Sequence, residues 1–272
     1  MNNAPIGIFD SGLGGLTVAR AVIDNLPDED IIYLGDTAHT PYGPRPIAEV
    51  RELTIAGLDA LVARGVKMLV VACNTGTAAA LSDAHERYWI RQGIPVVEVI
   101  SPAAGEAATQ TRNGKVGVIG TTATVESGAY LRALQAVPGL EVFQQACPRF
   151  VEFVENGVTT GDELLAVAQR YLDPLIDYGV DTVILGCTHY PLLTGAISYV
   201  LGPQVNLVAS SEATAKTVYS KLMELNLLHD PRPAGQVADY QFLATEDSPR
   251  FSALARRFLG PEVQHISTVN TV

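Results

Sequence analysis

The chain contains one kind of segment twice, and this repetition limits the possible folds more than any other feature of the sequence. Residues 65–75 and 179–189 each begin with Gly-Val, continue with an apolar run rich in Val, Ile and Leu, and reach a cysteine followed by polar residues. Such a run is typical of a strand buried on both faces of a parallel sheet. Cys73 and Cys187 are therefore expected at the carboxyl ends of two strands, where open α/β sheets bind their ligands.

A second pair of matching segments has nearly the same spacing. The strand-like residues 6–9 and their glycine-rich turn correspond to residues 115–122 at an offset of 110, and the two cysteines are 114 residues apart. Two matches in the same order indicate an internal duplication, and the offset is about the length of a small α/β domain. We therefore predict an α/β fold of two βαβ-rich halves, each built on an open parallel sheet.

Apolar periodicity places further elements along both halves. Beside the two cysteine strands, the predicted strands are 6–9, 31–36, 94–100, 115–120, 140–144, 205–209, 240–245 and 265–268. The predicted helices are 16–26, 46–64, 74–91, 125–136, 162–178, 212–228 and 250–259. We expect residues 1–97 plus a returning C-terminal tail, 210–272, to form the first domain, and residues 98–209 to form the second.

Composition restricts the class of protein. The chain has 272 residues, of which 47% are hydrophobic and 17% charged, as in soluble globular proteins. Its net charge of −11 leaves no general basic surface, so neither nucleic acid nor an anionic membrane is expected as a partner. No apolar stretch reaches the roughly 18 residues of a membrane span, and a strand predicted from Ile6 leaves no room for a signal peptide. With only three cysteines, an odd number, a disulfide framework is not expected, and we predict a cytoplasmic protein.

The two matched thiols are the feature that points to chemistry. A cysteine in an apolar strand is more often a buried small hydrophobe, and this interpretation suits Cys147. Cys73 and Cys187 are instead each followed by helix-capping residues, and the N–H groups at a helix N-terminus lower a thiol pKa and bind anions. Two thiols facing one pocket suit a two-base reaction. One thiol takes a proton from a carbon and the other returns a proton to the opposite face, which inverts the stereocentre.

The sequence predicts no cofactor and no metal. Asp10–Gly15 follows a strand as a dinucleotide-binding turn would, and Asp36 lies 22 residues beyond Gly14, but Thr17 stands where the fingerprint requires a third glycine. None of the four lysines lies in a strand-end loop, where it could form a Schiff base with pyridoxal phosphate. The chain also has no C-x-x-C pair and no close histidine pair, which zinc sites commonly use.

Other polar residues near these strand ends have both structural and functional interpretations. Asp10 is a common type of turn residue before glycine, or a carboxylate that assists a thiol. His189 taken alone would be a capping or surface residue, but beside an active thiol it is a candidate general acid or base. Tyr42 and Gly43 follow a proline and could be ordinary turn residues. Abstraction of a proton next to a carboxylate also requires amides and hydroxyls that stabilise the developing charge.

Together these segments resemble the signature motifs of bacterial glutamate racemases over nearly the whole chain. The motifs are Asp10-Ser11-Gly12-x-Gly14-Gly15, Pro41-Tyr42-Gly43, Ala72-Cys73-Asn74-Thr75, Gly120-Thr121 and Gly186-Cys187-Thr188-His189-Tyr190-Pro191. The resemblance implies cofactor-independent interconversion of L- and D-glutamate, which supplies D-glutamate to peptidoglycan synthesis. It also implies two pseudo-symmetric open parallel-sheet α/β domains with the active site in the cleft between them, and a homodimer. Some members of this family are reported to inhibit DNA gyrase, but nothing in these residues decides whether it is a second partner here.

Residue roles follow from the resemblance position by position. Cys73, assisted by Asp10, would act on D-glutamate, and Cys187, assisted by His189 and Glu155, would act on L-glutamate. The residues that would hold glutamate are Asp10, Ser11, Tyr42, Gly43, Asn74, Thr75, Thr121 and Thr188.

The chain departs from the family pattern in two places. Gly76 stands where the family commonly has Ala. Arg149 and Glu152 stand at positions where the family usually has an apolar residue and a proline. Glu152 therefore competes with Glu155 for the role beside Cys187. The functional alternatives are an aspartate racemase, another thiol-dependent isomerase, or a binding protein that holds a small dicarboxylate without turnover.

Overall fold

The computed structural model describes residues 2–233, 235–246, 255, 256, 259, 260 and 266–271. Within these residues the strands form two sheets in which every paired strand is parallel. The first sheet contains β1 (Ile6–Asp10), β2 (Ile31–Gly35), β3 (Met68–Val71), β4 (Val96–Glu98), β9 (Tyr240–Ala244) and β10 (Ile266–Thr268). The second contains β5 (Lys115–Gly120), β6 (Glu141–Ala146), β7 (Thr182–Gly186) and β8 (Asn206–Ala209). The fold is therefore α/β with two parallel-sheet domains, as predicted.

Strand order and register show the pseudo-symmetry directly. The order β2-β1-β3-β4 in the first sheet corresponds to β6-β5-β7-β8 in the second, and β9 and β10 extend the first sheet beyond β2. Ile6 pairs with Met68 in the first sheet, and Val116 pairs with Thr182 in the second. These pairs are related by the same offsets, 110 and 114, that separate the repeated segments. The cysteine strand in each half thus has the same neighbour in the same register.

Helices cover both faces of the sheets. They are α1 (Leu16–Asn25), α2 (Ile47–Val62), α3 (Asn74–Ala84), α4 (Ile100–Gln110), α5 (Thr122–Glu126), α6 (Ala129–Gln135), α7 (Arg149–Glu155), α8 (Asp162–Tyr178), α9 (Thr194–Leu201) and α10 (Ser210–Glu224). Two 3-10 turns, Thr37–His39 and Tyr190–Leu193, and a π-helical turn, His85–Ile90, complete the described elements. In the described part of the chain, no helix combines the length and apolar character needed to cross a bilayer.

One apolar core is shared by the two domains. It joins Ile8 and Val70 of the first sheet to Val118 and Ile184 of the second through buried side chains of α1, α4 and α10. Two further clusters cover the outer faces, one with α2 and α3 on the first sheet and one with α7, α8 and α9 on the second. Because close-packed interiors resist deformation, the shared core fixes the carboxyl-terminal edges of the two sheets relative to each other.

Several predicted element boundaries are wrong, and local chemistry explains most of them. The strand predicted over 94–100 is confined to β4, because the Glu98 carboxylate accepts the N–H groups of Ile100 and Ser101 and so starts α4. The helix predicted over 125–136 is divided into α5 and α6 at Gly128, whose φ of 65° is left-handed. The helix predicted over 74–91 changes to a π-helical turn after Ala84.

Other differences concern elements that were missed or lie elsewhere. Helices α4, α7 and α9 were not predicted, and α10 begins two residues earlier and ends four residues earlier than expected. The helix predicted over 250–259 falls mainly outside the described residues, as does His265 of the last predicted strand.

Candidate active site

The carboxyl ends of the central strands open into a cavity of about 210 Å³ between the two domains. Loops after β1, β2 and β3 line it from one side, and loops after β5, β6 and β7 line it from the other. Its lining residues are Ser11, Thr40, Pro41, Tyr42, Gly43, Pro44, Cys73, Asn74, Thr75, Thr121, Thr122, Pro148, Val151, Glu152, Glu155, Cys187, Thr188 and His189. Both repeated cysteines therefore contribute to one small cavity.

Cys73 caps α3 with its own side chain. The Gly76 N–H donates to the Cys73 sulfur at 3.2 Å, and the thiol donates to Ser11 Oγ at 3.2 Å. Asn74 and Thr75, predicted as caps, instead form the first turn of the helix. Burial and the nearby Asp10 carboxylate raise the pKa of Cys73 to about 12, although the hydrogen bonds with Ser11 and Gly76 oppose the shift. The expected lowering of the thiol pKa by the helix N-terminus is thus wrong here, because desolvation outweighs it.

Asp10 is the last residue of β1 and is fully buried. One carboxylate oxygen, Oδ2, accepts the Gly12 N–H at 3.0 Å, and the Tyr33 hydroxyl lies 3.4 Å from it. The other oxygen, Oδ1, is buried without a hydrogen-bond partner in the described structure. Burial raises the Asp10 pKa, against backbone hydrogen bonds and the charge of His189. Asp10 is therefore a buried carboxyl group with a raised pKa, and its charge acts on Cys73.

Cys187 has a different partner. Its sulfur lies 3.8 Å from His189 Nδ1, and the opposite ring nitrogen, Nε2, lies 3.4 Å from Glu155 Oε1. Burial disfavours the charged imidazole, but hydrogen bonds and charge from Cys187 and Glu155 outweigh it and raise the His189 pKa to about 10. A thiol, an imidazole and a carboxylate thus form a continuous chain. The residues after Cys187 form a 3-10 turn with Pro191 near its start, where an α-helix was expected.

Glycine brings the two strand-end loops into contact. A Cβ atom on Gly14 would lie 2.2 Å from Thr188 Oγ1 and 2.7 Å from His189 Nδ1, so a larger residue could not occupy this position. Thr17 Oγ1 also lies 3.4 Å from the Thr188 carbonyl. The glycine-rich turn, considered above as a nucleotide-binding turn, instead packs the first domain against the Cys187 loop.

Neutral hydroxyl and amide groups line part of the cavity. The hydroxyls of Thr75, Thr121 and Thr124 lie within 2.9–3.3 Å of one another, and Asn74 Nδ2 is buried without a hydrogen-bond partner in the described structure. Among the described lining residues there is no Lys or Arg. Apart from His189, whose raised pKa favours the charged imidazole, the groups available to an anionic ligand are therefore amides and hydroxyls, of the kind that stabilise developing negative charge in enzyme sites.

Tyr42 and Gly43 are held by contacts to both domains. The Tyr42 hydroxyl donates to Asp36 Oδ2 at 2.6 Å, and Asp36 Oδ1 binds His39 and the Thr245 hydroxyl. The Gly43 carbonyl accepts the Ala123 N–H from the other domain at 3.2 Å. The loop after β2 is thus attached to β9 at one end and to the second domain at the other.

The structure places the predicted site residues close together. All of them except Asp10 line the cavity, and Asp10 is buried with its charge acting on Cys73. Of the two competing carboxylates, Glu155 reaches His189, whereas Glu152 is 3.9 Å from Arg149 and its side chain is 67% exposed. Cys147 is buried and does not line the cavity.

Sequence reasoning missed several residues of this region, among them Thr124, Tyr130 and Asp36. Thr124 and Tyr130 sit on helices whose positions depend on the break at Gly128, and Asp36 was considered only as a nucleotide ligand. Within the residues that the structure describes, no three His, Cys, Asp or Glu side chains converge as metal ligands.

Comparison with known proteins places the chain in a family. The model of the Asp/Glu/hydantoin racemase family matches residues 16–218. A glutamate racemase from Beutenbergia cavernae is 58% identical over 98% of this chain and 93% of its own length. The crystal structure of a glutamate racemase isoform from Bacillus anthracis has a TM-score of 0.92 at 38% identity, covering 99% of this chain and 98% of the other.

A crystal structure of glutamate racemase from Francisella tularensis in complex with D-glutamate is similarly close. Its TM-score is 0.91 at 35% identity, and the match covers 100% of this chain and 99% of the other. Because the family model and the full-length relatives agree, the chain belongs to the Asp/Glu/hydantoin racemase family.

Proposed function

We propose that the protein is a glutamate racemase that interconverts L- and D-glutamate without a cofactor, using Cys73 and Cys187 as its two bases. One observation carries the proposal. Two thiols from equivalent strand ends of two domains line one cavity, and each has its own nearby acid or base group. The names of the relatives, which are glutamate racemases, support glutamate as the substrate.

In this mechanism each thiol serves one enantiomer. Cys187 removes the Cα proton of L-glutamate while Cys73 delivers a proton to the opposite face, and the reverse reaction exchanges these roles. Asp10 would hold or supply the proton of Cys73. His189, oriented by Glu155, would do the same for Cys187. A second acid–base group of this kind typically contributes about 10²–10⁴-fold to a rate.

Two of these groups hold their protons at neutral pH, which fits the role of Cys73 as the acid in the L-to-D direction. With a pKa of about 12, Cys73 carries its proton at neutral pH and can act as the acid. With a pKa of about 10, His189 is positively charged at neutral pH and faces the sulfur of the opposite thiol. The reverse direction then requires the proton to leave Cys73, for which the buried Asp10 carboxylate is the adjacent acceptor.

Neutral donors would hold the substrate carboxylates. Ser11, Asn74, Thr75, Thr121 and Thr188 supply hydroxyl and amide groups around the cavity. Tyr42 and Gly43 complete the wall, and the Tyr42 hydroxyl is committed to Asp36. Such a site can bind an anion locally on a chain whose net charge is −11.

The cellular role follows from the proposed activity. D-Glutamate from this reaction would supply peptidoglycan synthesis, and the protein would act as a homodimer in the cytoplasm, where free thiols such as its three cysteines stay reduced. We further propose that residues 1–97 with 210–272 form one domain and residues 98–209 the other, since β9 and β10 pair with the first sheet.

The test is incubation of the purified protein with L-glutamate in D₂O without any added cofactor, and with L-aspartate in parallel. Loss of optical rotation together with deuterium at Cα, seen by NMR, is the expected result for glutamate. Faster exchange into aspartate would instead indicate an aspartate racemase. Calorimetric binding of glutamate without exchange into either acid would contradict catalysis and favour a dicarboxylate-binding protein.

A further inference from the structure

Tyr130 is a buried residue of α6 that contacts both catalytic strand ends without lining the cavity. Its hydroxyl donates to Asn74 Oδ1 at 2.6 Å, across 56 residues and from the second domain to the first. Asn74 directly follows Cys73 and is itself only 2% exposed. A single phenol therefore crosses the domain boundary to the residue beside the first thiol.

This hydrogen bond holds the Asn74 amide by its carbonyl oxygen. The carbonyl oxygen is occupied by Tyr130, whereas Nδ2 is buried with no hydrogen-bond partner in the described structure. An unpaired buried donor costs free energy unless a ligand satisfies it. Because a carboxylate can only accept hydrogen bonds, an amide presented N–H first binds a carboxylate, and a flipped amide would repel it.

The ring of Tyr130 contacts the second strand end. A Cβ atom on Gly186, the residue before Cys187, would lie 2.9 Å from Tyr130 Cε2. The aromatic ring therefore packs directly on the backbone that carries the second thiol, and it is completely buried there. Through its ring and its hydroxyl, one side chain touches the neighbours of both cysteines.

We propose that Tyr130 is a positioning residue of the racemase. Its hydroxyl fixes the Asn74 carboxamide so that the amide N–H groups bind a substrate carboxylate, and its ring holds the Cys187 strand end in register with that amide. This inference rests on the proposed function for its substrate class.

Tyr130→Phe tests the proposal, because it removes the hydroxyl and keeps the ring on Gly186. The expected result is a rise of about tenfold in KM for both enantiomers, the loss that corresponds to one hydrogen bond to a charged group, with kcat changed much less. The Kd for L-glutamate by calorimetry should rise by a similar factor. A purely structural role would lower the melting temperature without this separation of KM from kcat.

Two further variants keep the result interpretable. Tyr88→Phe is the matched control, since Tyr88 is also buried and donates to Asp59 and the Ile55 carbonyl, away from the cavity; its KM should stay at the wild-type value. Asn74→Ala should raise KM at least as much as Tyr130→Phe, and the double variant should show no additional loss.

An unchanged KM and Kd in Tyr130→Phe, or fully additive losses in the double variant, would overturn the proposal. Calorimetry separates this result from failure of the proposed function. If the wild type binds glutamate but does not racemise it, the Kd of the variants still tests the positioning role.

Discussion

The two halves of the cleft share the same strand arrangement, but different ionisable groups surround their thiols. β3 and β7 hold equivalent places in their sheets, with the same register to β1 and β5. Cys73 then caps a helix and lies near a buried carboxyl group, whereas Cys187 enters a 3-10 turn and faces His189 and Glu155. The pseudo-symmetry therefore extends to the strand ends and stops at the groups that assist the thiols.

This difference fits the reaction that we propose. The two thiols act on the Cα proton of opposite enantiomers, from opposite faces of Cα. The rest of the bound glutamate, however, has no mirror symmetry within the cavity. Each thiol consequently meets a different part of the bound molecule and needs its own means of holding a proton. Equivalent strand ends fix the positions of the two thiols, and in the proposed mechanism different neighbouring groups give each thiol its own proton donor or acceptor.

Removal of either thiol should have the largest effect. Cys73→Ala and Cys187→Ala are each expected to lower racemisation by at least about 10³-fold, since each removes one of the two bases. Polarimetry with L- and D-glutamate gives the rates, and circular dichroism checks the fold. Cys147→Ala is the matched control, because Cys147 is buried but does not line the cavity. Wild-type rates in either active-site variant would eliminate the two-thiol mechanism.

Replacement of the assisting groups should show the asymmetry itself. Asp10→Asn and His189→Asn are each expected to lower kcat/KM by about 10²-fold. Enantiomers have equal free energies in water, so kcat/KM must fall equally in both directions. The primary isotope effect should differ, increasing with α-deuterated D-glutamate in Asp10→Asn and with α-deuterated L-glutamate in His189→Asn. The same pattern in both variants would show that the two halves are not specialised.

Glu155→Gln should reduce kcat/KM by about tenfold, because it removes the negative charge of the side chain that pairs with His189 and weakens that contact. It should also change how stability depends on pH. The His189 pKa is raised from 6.5 to about 10, so its stabilisation is complete below pH 6.5 and is lost as the pH rises through about 10.

Melting temperatures from pH 6 to pH 10 should therefore decline less steeply in Glu155→Gln than in the wild type. Glu152→Gln provides the control on the same helix and should keep the wild-type slope, with activity changed less than about twofold. If Glu152→Gln has the larger effect on activity, the carboxylate assignment must be reversed.

The smallest expected effect concerns the loop after β2, which has no counterpart network among the described residues of the second half. Asp36→Asn keeps an acceptor for Tyr42 but removes the charge that binds His39, Tyr42 and Thr245. We expect KM to rise about threefold with little change in kcat. Steady-state kinetics beside Asp24→Asn, an exposed carboxylate paired with Arg20, would test this, and a large loss of kcat would place Asp36 in the chemistry.

The repeated segments were sufficient to predict the sheets, because strands buried on both faces leave a continuous apolar run in the sequence. The helices were less predictable. α4 contains Pro102 and Gly105 and has a weak apolar pattern, and its start depends on the Glu98 carboxylate. The division at Gly128 depends on a left-handed φ that glycine permits but does not require.

Site membership was largely predictable, whereas site electrostatics were not. Motif residues identified the cavity wall, but the pKa of Cys73 depends on how deeply distant elements bury the thiol and Asp10. Glu152 and Glu155 lie three residues apart on α7, and only the placement of that helix against the Cys187 loop decides which one reaches His189. The role of Tyr130 requires both domains to be in place.

The most direct test of the two-base account is the distribution of deuterium early in the reaction. L-Glutamate is incubated with the wild-type protein in D₂O, the reaction is stopped while little product has formed, and the two enantiomers are separated. The account predicts deuterium at Cα of the D-glutamate product and almost none in the recovered L-glutamate, because different thiols remove and return the proton. Product that retains the original hydrogen, or equal deuterium in both enantiomers, would indicate a single base and would contradict the account.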